Sequence, residues 1–471
     1  MDVFAAIDLG TTGIKAALFD TQGTMLAQAF QEQRPDFPAP GSVEQDPAAW
    51  YEVPCDLLRE ALQRSGLPGH SVQAIGFSSQ GISVVPTDEA FRPLRRGISW
   101  LDVRAREELE DMLQSFPADD WFRMTGKHVN AAYTLPKLLW LKKHEPMVMR
   151  EARWFLMPMD YCIAHMTGRP VTDPTMASGT MLSDLHGSWR DDLTGAFGIC
   201  TEKLAAVRPC GTVAGGLSGE SAARTGIPAG TPVVVGAQDQ KIAAYGARLS
   251  RTCPTLSLGT SGAMEFIAGS RSDTLPAFPH MDGREILLEA CINTAGAAIR
   301  WARDMLFAGS YDEMNEAAAA APIGAQGVVF RPYLSGSGTP HLQQELSGSW
   351  EGLTLAATRG SLARAVYEGL ACEIRWNIDC AREAGAVVEG IRAFGGGINS
   401  RPFLTAIAGV CGLPVYICSQ REMGLFGAAR AAAAAVGRDA ARFESAAAVL
   451  QPQEADRYGA VYARYRGAKE S

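Results

Sequence analysis

Asp239 follows Val233-Val234-Val235-Gly236, an apolar run that delivers its carboxylate to the carboxyl end of a buried strand, where ligands collect in open α/β sheets. A carboxylate there can take the proton of a hydroxyl and aim the oxygen at phosphorus. Gln240 beside it can donate to and accept from a polyol. The plain alternative is an Asp that caps the following helix. Asp8 stands in a similar place, after Val3-Phe4-Ala5-Ala6-Ile7 and before the turn Gly10-Thr11-Thr12-Gly13. It suits a carboxylate that orients Mg2+ through water, because that ion keeps much of its hydration shell. Gly10, Thr11 and Thr12 then offer amides and hydroxyls to phosphate, and Lys15 adds charge. The alternative is an ordinary hairpin with Asp as turn former.

The turn returns as Ser257-Leu258-Gly259-Thr260-Ser261-Gly262 in the second half of the chain. One such turn is weak evidence. Two copies at equivalent points indicate an internal duplication and two backbone-rich turns suited to phosphate. The second copy has Ser257 where the first has the acid. A third glycine segment, Gly395-Gly396-Gly397-Ile398-Asn399-Ser400, leaves room for a flat ligand against the main chain, with the Asn399 amide beside it. A nucleotide base and ribose fit that description, as does a tight loop needed for packing alone. Gln80, Trp100, Asp102 and Arg104 make a polar and aromatic set that suits a sugar, with Gly81 next to Gln80; a core Trp with a surface Asp–Arg pair is the alternative. The seven histidines form no usable spacing.

The elements that must position these groups alternate between strand and helix patterns, an α/β class. Apolar runs predict strands at residues 3–7, 14–19, 25–30, 74–77, 231–235 and 391–394, with strands on both sides of the second turn. Helices are expected over 46–61, 134–143 and 293–306, the last entered through Gly296. Leu362, Val366, Leu370, Ile374 and Ile378 recur every four residues, an amphipathic helix. Pro402 suits the first turn of a helix after Ser400. Residues 322–351, rich in Gly, Pro and Ser, read as loop. The chain of 471 residues is too long for one core. The boundary is placed before the second turn, giving domains 1–248 and 249–471, joined by a hinge with a cleft between them.

Apolar residues make up 47% and charged residues 20%, the balance of a globular protein, and the net charge of -8 argues against nonspecific nucleic-acid binding. Ten scattered cysteines make no zinc pattern and read as reduced thiols of a cytoplasmic protein. Asp2 and Asp8 do not fit a signal peptide. No run reaches a membrane span, and the Ala-rich stretch from Ala428 to Val436, with Arg430 inside it, reads as a packed helix.

Taken in order, Asp8 to Lys15, Trp100-Leu101-Asp102-Val103-Arg104, Gly236-Ala237-Gln238-Asp239, Leu258-Gly259-Thr260-Ser261 and Gly395 to Ser400 resemble the FGGY family of carbohydrate kinases. Connecting segments agree, among them Pro158-Met159-Asp160-Tyr161, Ala177-Ser178-Gly179-Thr180 and Arg364 to Gly369. The resemblance runs from about Val3 to Gly437 and is nearer the xylulokinase branch than the glycerol kinases. It implies two actin-like, ribonuclease-H-like domains with ATP in the inter-domain cleft, the first domain holding the sugar and the second the nucleotide. It implies Asp8, Thr11 and Thr12 at the Mg2+–phosphate site, Gly259 and Thr260 on the phosphates, and Gly296, Gly396, Gly397 and Asn399 around the nucleoside. Asp239 is then the catalytic base, and Gln80, Gly81, Trp100, Asp102 and Gln240 face the sugar. A homodimer is admitted. Where xylulokinases carry Gln-Met-His-Gly this chain has Gln80-Gly81-Ile82-Ser83, and the Arg-Glu pair of glycerol kinases is also missing, although Asp239-Gln240 resembles their Asp-Gln pair.

The activity implied is ATP-dependent phosphorylation of a small sugar or polyol, a ketopentose such as xylulose first, with glycerol, ribulose or an alditol as alternatives. An actin-like ATPase that moves a partner protein, or a sugar sensor on a kinase scaffold, is the competing class.

Overall fold

The computed structural model describes residues 1–444 and 446–467. It separates into two units. The first is Met1–Gly246 with Ala277–Ile286 and Glu422–Glu444; the second is Ala247–Pro276, Leu287–Arg421 and the described residues beyond 445. The division is thus not one cut near residue 248, because two short segments of the second half fold onto the first unit.

The first unit is built on β1 (Val3–Leu9), β2 (Gly13–Asp20), β3 (Met25–Glu32), β4 (Val72–Ser79), β5 (Val213–Gly216), β6 (Pro232–Val234) and β7 (Ala237–Gln238). The order across the sheet is β5-β6-β4-β1-β2-β3, with β7 also paired to β4. β1, β2 and β3 form an antiparallel meander, whereas β4 runs parallel to β1, β6 and β7. β1 reads as an unbroken apolar run because both its faces are covered. Helix Ala49–Ser65 packs on β2 and β3, and helix Met423–Ala435 packs on β1 and β4. The Ala-rich stretch is this second helix, as expected, and small side chains let it lie close to the sheet.

The second unit repeats the plan with β8 (Thr255–Leu258), β9 (Gly262–Ala268), β10 (Ile286–Ile292), β11 (Ile391–Phe394), β12 (Val415–Cys418) and β13 (Ala446–Leu450). The order is β10-β9-β8-β11-β12-β13. β8 and β9 are antiparallel, β8, β11 and β12 are parallel, and β13 closes the edge antiparallel to β12. The same order of meander, parallel strands and antiparallel edge strand in both units is the duplication that the paired turns announced.

Helix Arg359–Glu383 carries the expected stripe, with Val366, Leu370, Ile374 and Ile378 fully enclosed. Two expectations need correction. Residues 322–351 are not all loop: Val329–Arg331 and Ser349–Glu351 pair as antiparallel strands, because alternating Phe330 and Trp350 find partners that no local pattern reveals. The helix expected from Asn293 starts at Gly296. No helix among the described residues is long and apolar enough to cross a membrane, and all ten cysteines are free thiols.

Candidate active site

In the first unit the functional side chains emerge from the carboxyl ends of adjacent parallel strands. Ser78 on β4 is in register with Asp8 on β1 and with Ala237 on β7; Ser79 is in register with Leu9 and Gln238. Gln80 and Asp239 are therefore the next residues along two paired strands, and Asp8 lies two positions back on the third. The sheet brings Asp8, Gln80 and Asp239 together from positions 72 to 231 residues apart in sequence.

Asp8 is half-buried and one oxygen accepts the Ser78 hydroxyl at 2.6 Å. Its other oxygen has no hydrogen-bond partner among the described residues. Burial raises its pKa above the usual carboxylate value, opposed by the Ser78 hydroxyl and the Lys15 charge. Lys15, opposite Asp8 on β2, is paired at 2.6 Å with Glu422, a residue that the sequence did not single out. Glu422 immediately precedes helix Met423–Ala435, so the cation and its partner are fixed by two elements far apart in the chain.

The first turn is tied down by side chains. The Thr11 hydroxyl donates to Gln80 Oε1 at 3.2 Å and accepts the Trp100 indole N–H at 2.7 Å. The Thr11 carbonyl accepts from Gln45 Nε2 at 3.2 Å, and the Thr12 carbonyl from the Gln33 amide at 2.8 Å. Gln80 Nε2 reaches the Gly10 carbonyl only at 3.5 Å. Gly81 packs on Gln238: a Cβ there would lie 3.2 Å from Gln238 Cγ. Asp239 is the first residue of helix Asp239–Gly246, with its Oδ1 accepting the Gln240 amide at 2.7 Å. The carboxylate thus stands on the first residue of the helix, and Gln240 is half-buried beside it.

Trp100 and Asp102 exchange the surroundings considered for them. Trp100 is 38% exposed, whereas Asp102 is fully enclosed. The Asp102 carboxylate accepts from the Val43 amide at 2.6 Å, the Arg104 amide at 2.9 Å and Arg104 Nε at 2.8 Å. Arg104 also bonds Glu44 at 2.9 Å and lies over the Trp140 ring. Asp102 is corrected from a sugar contact to an internal anchor, because its hydrogen-bonding capacity is spent on the loop it holds.

In the second unit Gly259, Thr260, Gly296, Gly396, Gly397 and Asn399 all line one cavity of about 500 Å³. Here the main chain does the positioning. The Gly259 and Thr260 carbonyls accept the amides of Gly296 and Ala297 at 3.0 and 2.9 Å, joining the second turn to the start of helix Gly296–Leu306. A Cβ on Gly296 would lie 2.4 Å from the Gly259 oxygen. Gly395 has φ 92°, and Cβ atoms on Gly395 or Gly397 would fall 2.7 Å from Leu258 atoms, whereas Gly396 faces open space. Asn399 Nδ2 donates to the Gly396 carbonyl at 3.1 Å, bracing the glycine turn. Leu258 and Ser400 also line it, as do Ile299, Arg300, Tyr311, Asp312 and Asn315, the last five not found from sequence. Asn315 Oδ1 accepts both the Tyr367 and Ser400 hydroxyls, at 2.7 and 2.6 Å. Ser310, which caps the Tyr311–Ala320 helix by accepting the Glu313 amide, is the signal that would have located it. A cavity of this size, with bare peptide at Gly396, fits a nucleoside.

The doubled sheet with a turn at each meander is that of the actin-like, ribonuclease-H-like class. A crystal structure of xylulose kinase from Rhodospirillum rubrum superposes with TM-score 0.91 at 26% identity, covering 99% of this chain and 98% of that one. The chain matches the N-terminal domain of the FGGY family of carbohydrate kinases over residues 3–246 and its C-terminal domain over 255–436. It is 29% identical over 440 residues to the xylulose kinase of Bacillus subtilis, covering 92% of this chain and 88% of the relative. It is 30% identical over 466 residues to the glycerol kinase of Alkalilimnicola ehrlichii, covering 95% and 93%. The protein belongs to the FGGY family of carbohydrate kinases, enzymes that use ATP to phosphorylate a sugar hydroxyl.

Proposed function

We propose that the acceptor is a small ketose, a ketopentose such as xylulose before others, and that it is held by Gln80, Trp100 and Gln240 with Asp239 as general base. The Asp239 carboxylate takes the acceptor hydroxyl proton as the oxygen bonds to the γ-phosphorus; the bond from phosphorus to the bridging oxygen breaks and ADP leaves. The observation that carries this reading is the strand register that sets Gln80 and Asp239 side by side at the carboxyl ends of β4 and β7. Gly259, Thr260, Gly296, Gly396, Gly397 and Asn399 would take ATP in the second unit's cavity, and Gly10, Thr11, Thr12 and Lys15 would contribute phosphate contacts from the first.

Asp8 fits a hydrated Mg2+: it is a half-buried carboxylate with one oxygen that has no hydrogen-bond partner among the described residues. The ion would supply charge neutralisation to the phosphates when bound. We read the enzyme as cytoplasmic, where free thiols persist, and a homodimer is compatible with this reading.

Glycerol or another polyol is the second reading, favoured by the Asp239-Gln240 pair. A panel of pentuloses, hexuloses, alditols and glycerol, each with ATP and Mg2+, decides between them. A kcat/KM for D-xylulose at least about tenfold above every polyol supports the first reading. A higher value for glycerol overturns it, and acceptor-independent ATP turnover would point to a partner-driven ATPase.

A further inference from the structure

We propose that Ser83 is a positioning residue that fastens the acceptor-side indole of Trp100 to the first phosphate turn, a proposal that rests on the carbohydrate-kinase reading of this site. Ser83 is fully enclosed and follows Ile82, whose φ of 61° turns the chain back. The Ser83 hydroxyl donates to Gln80 Oε1 at 3.2 Å and accepts the Trp100 backbone amide at 3.0 Å. Gln80 Oε1 also receives the Thr11 hydroxyl at 3.2 Å, and that hydroxyl accepts the Trp100 indole N–H at 2.7 Å. Four residues close a ring: Trp100 donates at both ends, two hydroxyls relay, and one amide oxygen receives both.

The ring has three consequences. It fixes the orientation of the Gln80 amide, because Oε1 takes two hydroxyl donors. Nε2 is then directed elsewhere, and its 3.5 Å contact with the Gly10 carbonyl is weak enough to yield to a sugar oxygen. It uses the Thr11 hydroxyl as a link between the indole and the turn. It also couples the two halves of the task, since the indole cannot shift without disturbing Gln80 or Thr11. Ser83 stands where the xylulokinase pattern has glycine, which has no side chain to close the ring, and next to Ile82, which replaces a polar histidine. This chain thus has a fixed amide and indole where that pattern has a histidine donor.

The test compares wild type with Ser83→Ala and Ser83→Thr. Loss of the hydroxyl is expected to raise KM for the acceptor roughly tenfold, leave KM for ATP unchanged, keep kcat within about twofold, and increase the ATP consumed per acceptor phosphorylated; Ser83→Thr is expected to restore coupling. A second readout needs no acceptor: with ¹⁵N-labelled tryptophan, the indole N–H resonance assigned through Trp100→Phe shifts in Ser83→Ala and stays near its wild-type position in Ser83→Thr. An unmoved indole resonance, or equal acceptor KM values in wild type and Ser83→Ala, overturns the proposal. If no acceptor is turned over by the wild type, the kinase reading of the site fails while the indole resonance still decides whether Ser83 closes the ring.

Discussion

The turn between β1 and β2 and the turn between β8 and β9 occupy the same place in two copies of one sheet, yet they are secured by different chemistry. In the first, Asp8 faces Ser78 on one neighbouring strand and Lys15 on the other. At the equivalent position of the second, Ser257 faces Phe394 and Ala263. The first turn is held by side chains: Gln80 and Trp100 on Thr11, and Glu422 on Lys15. The second is held by main-chain bonds to the first turn of a helix and borders a cavity with bare glycine peptide. Duplication preserved the backbone path, while the side chains divided the work. One copy concentrates charge and orientation; the other leaves room for a ligand against the main chain.

The sharpest way to break this contrast is Asp239→Asn. It is expected to lower acceptor phosphorylation about a thousandfold or more while calorimetry finds nucleotide affinity unchanged; turnover within a few-fold of wild type would remove the base from the first unit. The second copy is tested with glycines. Gly296→Ala puts a methyl against the Gly259 oxygen and should raise KM for ATP about tenfold and lower Tm. Gly396→Ala meets no protein atom, so it should weaken ATP binding with Tm unchanged. Equal Tm losses in both would mean that the glycine turn serves packing alone.

A smaller effect comes from two acids buried within the first unit. Burial raises the Asp160 pKa to about 8 and the Asp173 pKa to about 7, from 3.8. Between those limits the native state holds protons that the unfolded chain has released. Their contribution to stability is therefore full below about pH 4 and is lost as pH rises through 7 to 8. Scanning calorimetry should find a Tm that falls from pH 5 to pH 8, with a shallower fall in Asp160→Asn; parallel curves would mean that Asp160 ionises normally. The smallest effect is expected from Glu422→Gln. The pair with Lys15 is nearly a third exposed on both sides, so its loss should cost less than about 1 kcal/mol. A KM for ATP that becomes more salt-sensitive would mark Lys15 as released toward phosphate.

Much of the frame was legible because it is local. Apolar runs located β1, β2 and β11 to within a few residues, since a strand covered on both faces must be apolar throughout, and the half-exposed edge strand β3 followed from the turn at Asp20–Gly23. The helix at residues 359–383 followed from four-residue spacing, and the doubled turn announced the doubled sheet. What was not legible depended on partners distant in sequence. Trp100 and Asp102 lie two residues apart, and nothing in their spacing says that the ring faces outward and the carboxylate inward. Glu422 and Asn315 carried no motif.

The sequence by itself determined the chemistry available: one acid at the first turn and none at the second, a carboxylate followed by an amide at 239–240, and three glycines before Asn399. These are properties of residue type and order, and they are fixed before folding. Only the tertiary structure decided which groups meet. Register between β4 and its parallel neighbours carried Asp8, Gln80 and Asp239 to one edge, and burial removed Asp102 from that edge by giving it three internal donors. A ring through Ser83 then joined three segments of the chain that no pattern connects. Hydrogen bonds require atoms within about 3 Å, and that distance is set by packing across the sheet rather than by position along the chain.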